Sequence, residues 1–180
     1  MDRFQQRVIQ LRRIFHTYGE NNNTRIYCGV IIDNTYLYMG TDNGILVYNY
    51  RADRYEQPET DFPTDVRTMA LQGDTLWLGA LNGLYTYQLQ SRKLTSFDTR
   101  RNGLPNNTIY SIIRTKDNQI YVGTYNGLCR YIPSNGKFEG IPLPVHSSQS
   151  NLFVNSLLED TTRQCVWIGT EGYLFQYFPS

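Results

Sequence analysis

The segment GTYNGLCRY, Gly123 to Tyr131, sets two glycines four residues apart around a polar pair, a pattern that can cradle a phosphate or wrap a metal ion. A phosphate loop needs a following Lys-Ser/Thr and a helix whose first amides face the anion. Neither follows Gly127. A calcium loop needs oxygen ligands at alternate positions, and related segments containing Asp42-Asn43 and Ala80-Leu81-Asn82 do not supply them. His16 and His146 belong to no HxxxH or Cys-His pattern, while Cys28, Cys129 and Cys165 are too widely spaced for a zinc knuckle and odd in number for a closed disulfide set. The cysteines read as small buried hydrophobes. No G-x-S-x-G elbow is present, Cys129 falls inside a strand pattern, and Glu159-Asp160 reads as a solvated strand end. The expectation is a chain with no catalytic residue, no metal and no cofactor.

What GTYNGLCRY does instead follows from its recurrence as MGTDNGILVY, LGALNGLYTY, VGTYNGLCRY and IGTEGYLFQY. The first glycines, Gly40, Gly79, Gly123 and Gly169, lie 39, 44 and 46 residues apart, and each is followed eight residues later by a tyrosine: Tyr48, Tyr87, Tyr131 or Tyr177. An apolar or aromatic pair precedes every glycine, with Tyr38, Trp77, Tyr121 and Trp167 at one repeated position that predicts packing between repeats. Upstream of a polar turn sits a further apolar run, YCGVII, VRTMAL, IYSIIR or VNSLLE, and downstream a short strand ends at Tyr55, Phe97 or Ile141. Four short antiparallel strands per unit of about 44 residues is the period of a propeller blade.

The predicted fold is therefore all-β, a β-propeller of four-stranded antiparallel blades. About four blades are present, at approximately 24–56, 65–98, 108–141 and 152–180, forming a closed ring or an arc of a larger propeller within a single domain or segment, 1–180. The same register makes residues 1–15 the outer strand of a preceding or closing blade, although Phe4, Val8, Leu11 and Phe15 are also spaced as one face of a helix. Composition agrees with strands and turns: 15 tyrosines and 14 glycines among 180 residues. A net charge of +1 offers no field for nucleic acid or an acidic membrane surface. No apolar run approaches a membrane span, and MDRFQQRVIQLRRIF lacks the apolar core of a signal peptide.

GLPNNTIYSIIRTKDNQIYVGTYNGLCRYIPSNGKFEGI, Gly103 to Ile141, closely resembles the two-component-regulator propeller repeat. The resemblance rests on GLPNN before the inner strand, on the aromatic-apolar-G-T-x-x-G-L run across the hairpin, and on the aromatic closing that strand; it extends over essentially residues 14–178. It implies the periplasmic sensor region of hybrid two-component systems of gut Bacteroidetes, in which propellers are followed by an immunoglobulin-like domain, a membrane helix, kinase and receiver modules and a DNA-binding output. None of those later modules is expected here, so the chain itself should phosphorylate nothing. In IGTEGYLFQY the second glycine arrives one position early, so Gly172 stands where Asn126 does and the φ > 0 position should move with it.

In a propeller the links between blades and the middle hairpin turns emerge at one mouth of the axis, where loops carry binding groups on a rigid scaffold. Candidate ligand residues there are Arg25, Tyr27, Asp65, Arg67, Arg100, Arg101, Tyr110 and Asn155 from the links and inner-strand starts, and Asp42, Tyr125, Asn126 and Glu171 from the turns. Arg, Asn and Tyr suit an oligosaccharide, supplying planar donors and stacking rings. The alternative is a protein-interaction or assembly propeller with no small-molecule site. Pairing with a second copy or with further blades, rather than with nucleic acid or membrane, is the other partnership expected.

Overall fold

The structure is a computed structural model that describes residues 24–58, 60–144 and 152–179. The first blade is β1 (Ile26–Ile32), β2 (Tyr36–Thr41), β3 (Gly44–Asn49) and β4 (Arg54–Glu56); the second is β5 (Val66–Gln72), β6 (Thr75–Ala80), β7 (Gly83–Gln88) and β8 (Leu94–Phe97). A one-turn helix, α1 (Thr99–Asn102), precedes the third blade of β9 (Ile109–Arg114), β10 (Ile120–Thr124), β11 (Gly127–Ile132) and β12 (Lys137–Ile141). The fourth has three strands among the described residues, β13 (Val154–Asp160), β14 (Cys165–Thr170) and β15 (Leu174–Tyr177). Every blade is an antiparallel meander in chain order. The expected outer strand at residues 1–15 lies outside the described residues.

Turn chemistry sets the meander. Asp33 and Asn34, between β1 and β2, hold φ of 50° and 46°, a left-handed geometry that short polar side chains tolerate. In the middle hairpins of the first three blades the glycine after the two-residue turn takes the positive φ, as at Gly127 with φ 111°. In the fourth blade Gly172 takes it instead, φ 95°, as the displaced glycine requires. The threonine opening the hairpin ties it shut: Thr41 Oγ1 donates to the Gly44 carbonyl at 3.0 Å and Thr124 Oγ1 to the Gly127 carbonyl at 2.9 Å.

Three apolar cores lie between successive blades. Ile45 and Val47 meet Val66, Leu76 and Leu78; Trp77 and Leu84 meet Ile109 and Ile112; Tyr121 and Leu128 meet Val154 and Ile168. Full burial of each such side chain is worth roughly 1.5–3 kcal/mol, so stability resides in the faces between blades. Neighbouring blades touch chiefly through their first strands, which places β1, β5, β9 and β13 along the axis. β1 and β13 form no substantial contact, and the described residues make an open arc.

The repeated glycines sit where this packing is tightest. A Cβ on Gly40 would lie 2.6 Å from the Val66 carbonyl oxygen, one on Gly79 2.5 Å from Ile109 Cγ2, and one on Gly123 2.6 Å from Val154 Cγ1. Each first strand thus lies directly on the bare backbone of the preceding blade. Trp77 and Tyr121, beside two of these glycines, are buried in the same faces, whereas Trp167 at the end of the arc is half-buried.

Candidate functional site

The four first strands begin with the same irregularity. Ile26 pairs with Thr41 and Cys28 with Gly40, so Tyr27 is left over. Val66 and Thr68 pair with Ala80 and Gly79 around Arg67; Ile109 and Ser111 pair with Thr124 and Gly123 around Tyr110; Val154 and Ser156 pair with Thr170 and Gly169 around Asn155. A bulge of this kind re-aims the extra side chain. Its flanking residues face the adjoining blades, as Val66 does toward Gly40 and Thr68 toward Ile112, whose amide donates to Thr68 Oγ1 at 3.1 Å. The bulged residue stands between those directions, at the end of the axis shared with the middle hairpin turns, and all four are at least partly exposed.

Backbone ties hold that mouth in shape. The Asp65 amide donates to the Asp42 carbonyl at 3.1 Å, Thr108 Oγ1 to the Leu81 carbonyl at 3.2 Å, and the Gly127 amide to the Leu152 carbonyl at 2.8 Å. Each blade's turn is thereby joined to the link entering the next. Asp42 also clips its own blade: its carboxylate accepts from the Arg25 amide at 3.1 Å and its amide donates to the Arg25 carbonyl at 3.2 Å. Arg25 and Asp42 are thus engaged with each other's backbone.

Two groups of side chains form on this frame. Between the first two blades the Arg67 guanidinium lies 3.9 Å from the centroid of the Tyr27 ring and donates to Asp65 at 3.1 Å, while its buried Nε has no hydrogen-bond partner among the described residues. Stacking and the ion pair hold the guanidinium as a flat plate. Between the third and fourth blades Tyr110 meets Phe153 edge-on with centroids 4.2 Å apart, and Tyr125 is tilted against the same ring at 5.9 Å. Asn126 lies beside Tyr125 on the same turn, its amide fixed to Thr124 Oγ1 at 3.1 Å. Glu171 occupies the equivalent turn of the fourth blade, exposed.

Arg100 and Arg101 do not join them. They lie in α1, where the Asp98 carboxylate caps both amides at 2.9 and 2.8 Å and accepts from Arg101 Nε at 2.6 Å. The helix rests against β12, an outermost strand, and Asn102 donates to the Gly136 carbonyl, in the hairpin at the opposite end of the blade from Tyr125. The link expected to cross the mouth runs down the outer edge first, because Asp98 and Gly103, φ 78°, cap a helical turn there. Phe153 was missed as a site residue. It stands where the other copies carry Arg25, Asp65 and Thr108, and a lone aromatic at that position was the available signal.

Two of the three cysteines are held as thiols. Burial pushes the Cys28 thiol up to about 11, and burial likewise raises Cys129, so neither is a thiolate at neutral pH. Among the described residues no three of His, Cys, Asp and Glu gather as metal ligands, and no helix is long and apolar enough to cross a membrane. A concavity lined by Lys116, Asp117, Glu159 and Cys165 opens at the other end of the blades, where the Lys116 amide already holds Glu159 at 2.9 Å.

Four antiparallel meanders stacked face to face, with turns that differ from copy to copy at one mouth, define a β-propeller. Residues 103–126 match the family model described as the two component regulator propeller. The chain is 99% identical to the crystal structure of the extracellular domain of a proposed one-component system, BT4673, from B. thetaiotaomicron, with a TM-score of 0.86 over 91% of this chain and 22% of that one. The extracellular domain of a proposed hybrid two-component system, BT3049, from the same organism matches over 90% of this chain and 22% of its own, at 18% identity and a TM-score of 0.68. A computationally designed protein, Ika4, matches at 14% identity and a TM-score of 0.65 over 89% of this chain and 95% of that one. The last two likenesses show the fold. No curated protein matches the chain. The chain thus spans about a fifth of the length of the two natural structures, both described as extracellular, in line with the expected location outside the cytoplasm.

Proposed function

We propose that this chain is a non-catalytic ligand-sensing arc of a periplasmic sensor propeller and that its ligands are oligosaccharides. The observation that supports this reading is the placement of Tyr27, Arg67, Tyr110 and Asn155 on four equivalent bulges at one mouth, with Tyr125 and Phe153 adding rings. Sugar rings offer C–H faces to aromatics, and their hydroxyls and carboxylates match guanidinium and amide donors. A propeller that binds by its mouth transmits by shifting the population of blade arrangements rather than by chemistry. The output it feeds is a property of the longer protein. One natural relative is described as a one-component system and the other as a hybrid two-component system, so a propeller of this kind does not by itself imply a kinase.

Calorimetric titration with neutral and acidic oligosaccharides tests the reading. Binding should appear for at least one, and Tyr110→Ala and Arg67→Ala should each weaken it about fivefold, the order expected from losing a stacking contact of about 1 kcal/mol. Affinity unchanged in both variants removes these residues from the site. No heat with any sugar leaves the second reading, an assembly propeller, which the exposed apolar side chains of the fourth blade favour.

A further inference from the structure

One ring contact recurs in the cores between blades and is missing from the first of them. The aromatic two residues before a repeated glycine is matched by the tyrosine eight residues after the next blade's glycine. Trp77 thus meets Tyr131 with centroids 4.8 Å apart, and Tyr121 meets Tyr177 at 5.9 Å. Tyr38 and Tyr87 are the corresponding pair between the first and second blades. Both belong to that core, yet their rings make no contact, and Tyr87 takes Phe62 of the link edge-on at 4.9 Å instead. Phe138 also packs on Trp77, at 6.3 Å, and its counterpart beside Tyr87 is the smaller Leu94. Trp77 and Tyr121 are 2% and 0% exposed, whereas Tyr38 is half-buried although its face is packed against the second blade.

The separation leaves a recess of about 230 Å³ on the flank of the two blades, between Tyr38 and Tyr87 and bounded by Tyr36, Glu56 and Leu89. It lies inside an interface that both blades form, not at an end of the arc. Burial first, then the neighbouring Tyr87, Tyr36 and Glu56, raise the Tyr38 phenol above its ordinary value, which keeps it a neutral hydroxyl at pH 7. The hydroxyls of Tyr36, Tyr38 and Tyr87 make no hydrogen bond among the described residues. Glu56 accepts from Asn49 Nδ2 at 3.0 Å and pairs with Arg54 at 3.3 Å through Oε1 alone, so Oε2 is an acceptor with no partner among the described residues.

We infer that this recess is a second ligand site, apart from the mouth, and that it takes a single neutral aromatic ring bearing a hydroxyl. A ring placed there would restore to Tyr38 and Tyr87 the aromatic contact their counterparts make with each other, and its hydroxyl would find the phenols and Glu56 as partners. Charge selects the neutral ligand: Arg92 on the rim opposes a cation and Glu56 an anion. Val47, Phe62 and Leu89 complete the wall, so a sugar would leave most of its hydroxyls unpaired. The inference is independent of the oligosaccharide reading, which concerns the other residues at the mouth.

Titration with phenol, followed by amide NMR shifts up to about 10 mM, the range that a ligand of so few atoms calls for, tests it. Shifts should gather at Tyr38, Phe62 and Tyr87 and spare Tyr110 and Tyr125. Cyclohexanol, of the same size but without an aromatic face, and benzene, without the hydroxyl, should each bind at least threefold more weakly. Tyr38→Trp, which supplies the ring that Trp77 supplies to the next interface, should weaken phenol at least tenfold, while Tyr110→Ala should leave it unchanged. No saturable shift with phenol overturns the inference, as do shifts centred on the mouth. Cyclohexanol or methyl glucoside binding in the recess as tightly as phenol overturns the aromatic class, and a folded Tyr38→Trp chain that binds phenol as the wild type does overturns the site. If that variant does not fold, the wild-type shifts and the cyclohexanol comparison decide on their own.

Discussion

At the scale of single residues, the most constrained positions carry no side chain. Gly123 lies under the first strand of the fourth blade, where an added methyl would come 2.6 Å from Val154 Cγ1 and 2.8 Å from its carbonyl oxygen. Backbone on one side and a buried strand on the other cannot both yield, so Gly123→Ala should cost about 1–3 kcal/mol, the range for overpacking a filled interior. Gly140, in β12, has nothing among the described residues within 4 Å of its Cβ direction, and Gly140→Ala should leave stability unchanged within about 0.5 kcal/mol. Urea denaturation of both variants checks the contrast; equal losses would mean that the space between blades is not what Gly123 serves. The regular spacing of these glycines was plain in the sequence, but a repeated glycine serves a turn as readily as a close approach. The neighbour that decides between them lies 31 residues away.

At the scale of elements, the turn between β13 and β14 is organised by one carboxylate. Asp160 accepts from the Thr162 and Arg163 amides at 3.1 and 2.9 Å, from the Arg163 guanidinium at 3.0 Å and from the Trp167 indole at 3.2 Å. These donors, the Arg163 amide foremost, lower its carboxyl to about 2. A carboxyl depressed on folding stabilises above its unfolded value, near 3.8, and that contribution disappears as pH falls through about 2. Asp160→Asn should therefore melt below the wild type at pH 7, and the gap should close between about pH 4 and pH 2. A constant gap across that range would show that Asp160 acts through shape alone. The sequence reading placed this residue at a strand end as a solvated acid. It did not anticipate the indole donor, because Trp167 approaches only when β14 folds back on β13.

At the scale of the whole molecule, the substantial contacts among the described residues are between neighbouring blades, so stability is a sum of blade and interface terms rather than one shared core. The second and third blades are covered on both faces, while the fourth leaves Leu158 and Leu174 open. Amide hydrogen exchange should accordingly rank β5, β6, β9 and β10 as the slowest elements and β14 and β15 as faster. Uniform protection through the fourth blade in dilute solution would contradict an open end. The mouth has the same dependence on the whole: no strand alone brings Arg67 onto Tyr27 or Phe153 against Tyr110 and Tyr125.

The repeat, the strand order within a blade, the turn glycines and the end of the axis that carries most of the candidate residues were determined by local spacing, which is why the sequence by itself shows them. A period of about 44 residues cannot be sustained by anything except a stacked unit. Which candidates meet is another matter. Arg100 and Arg101 sit beside mouth residues in sequence and at an outer edge in space, since a helical turn diverts the link. Tyr27, Arg67, Tyr110 and Asn155 are candidates from the sequence by their place at the inner-strand starts, but that the pairing register skips each of them shows only in the folded sheet. A bulge is a mismatch between two strands, and only the folded sheet has both.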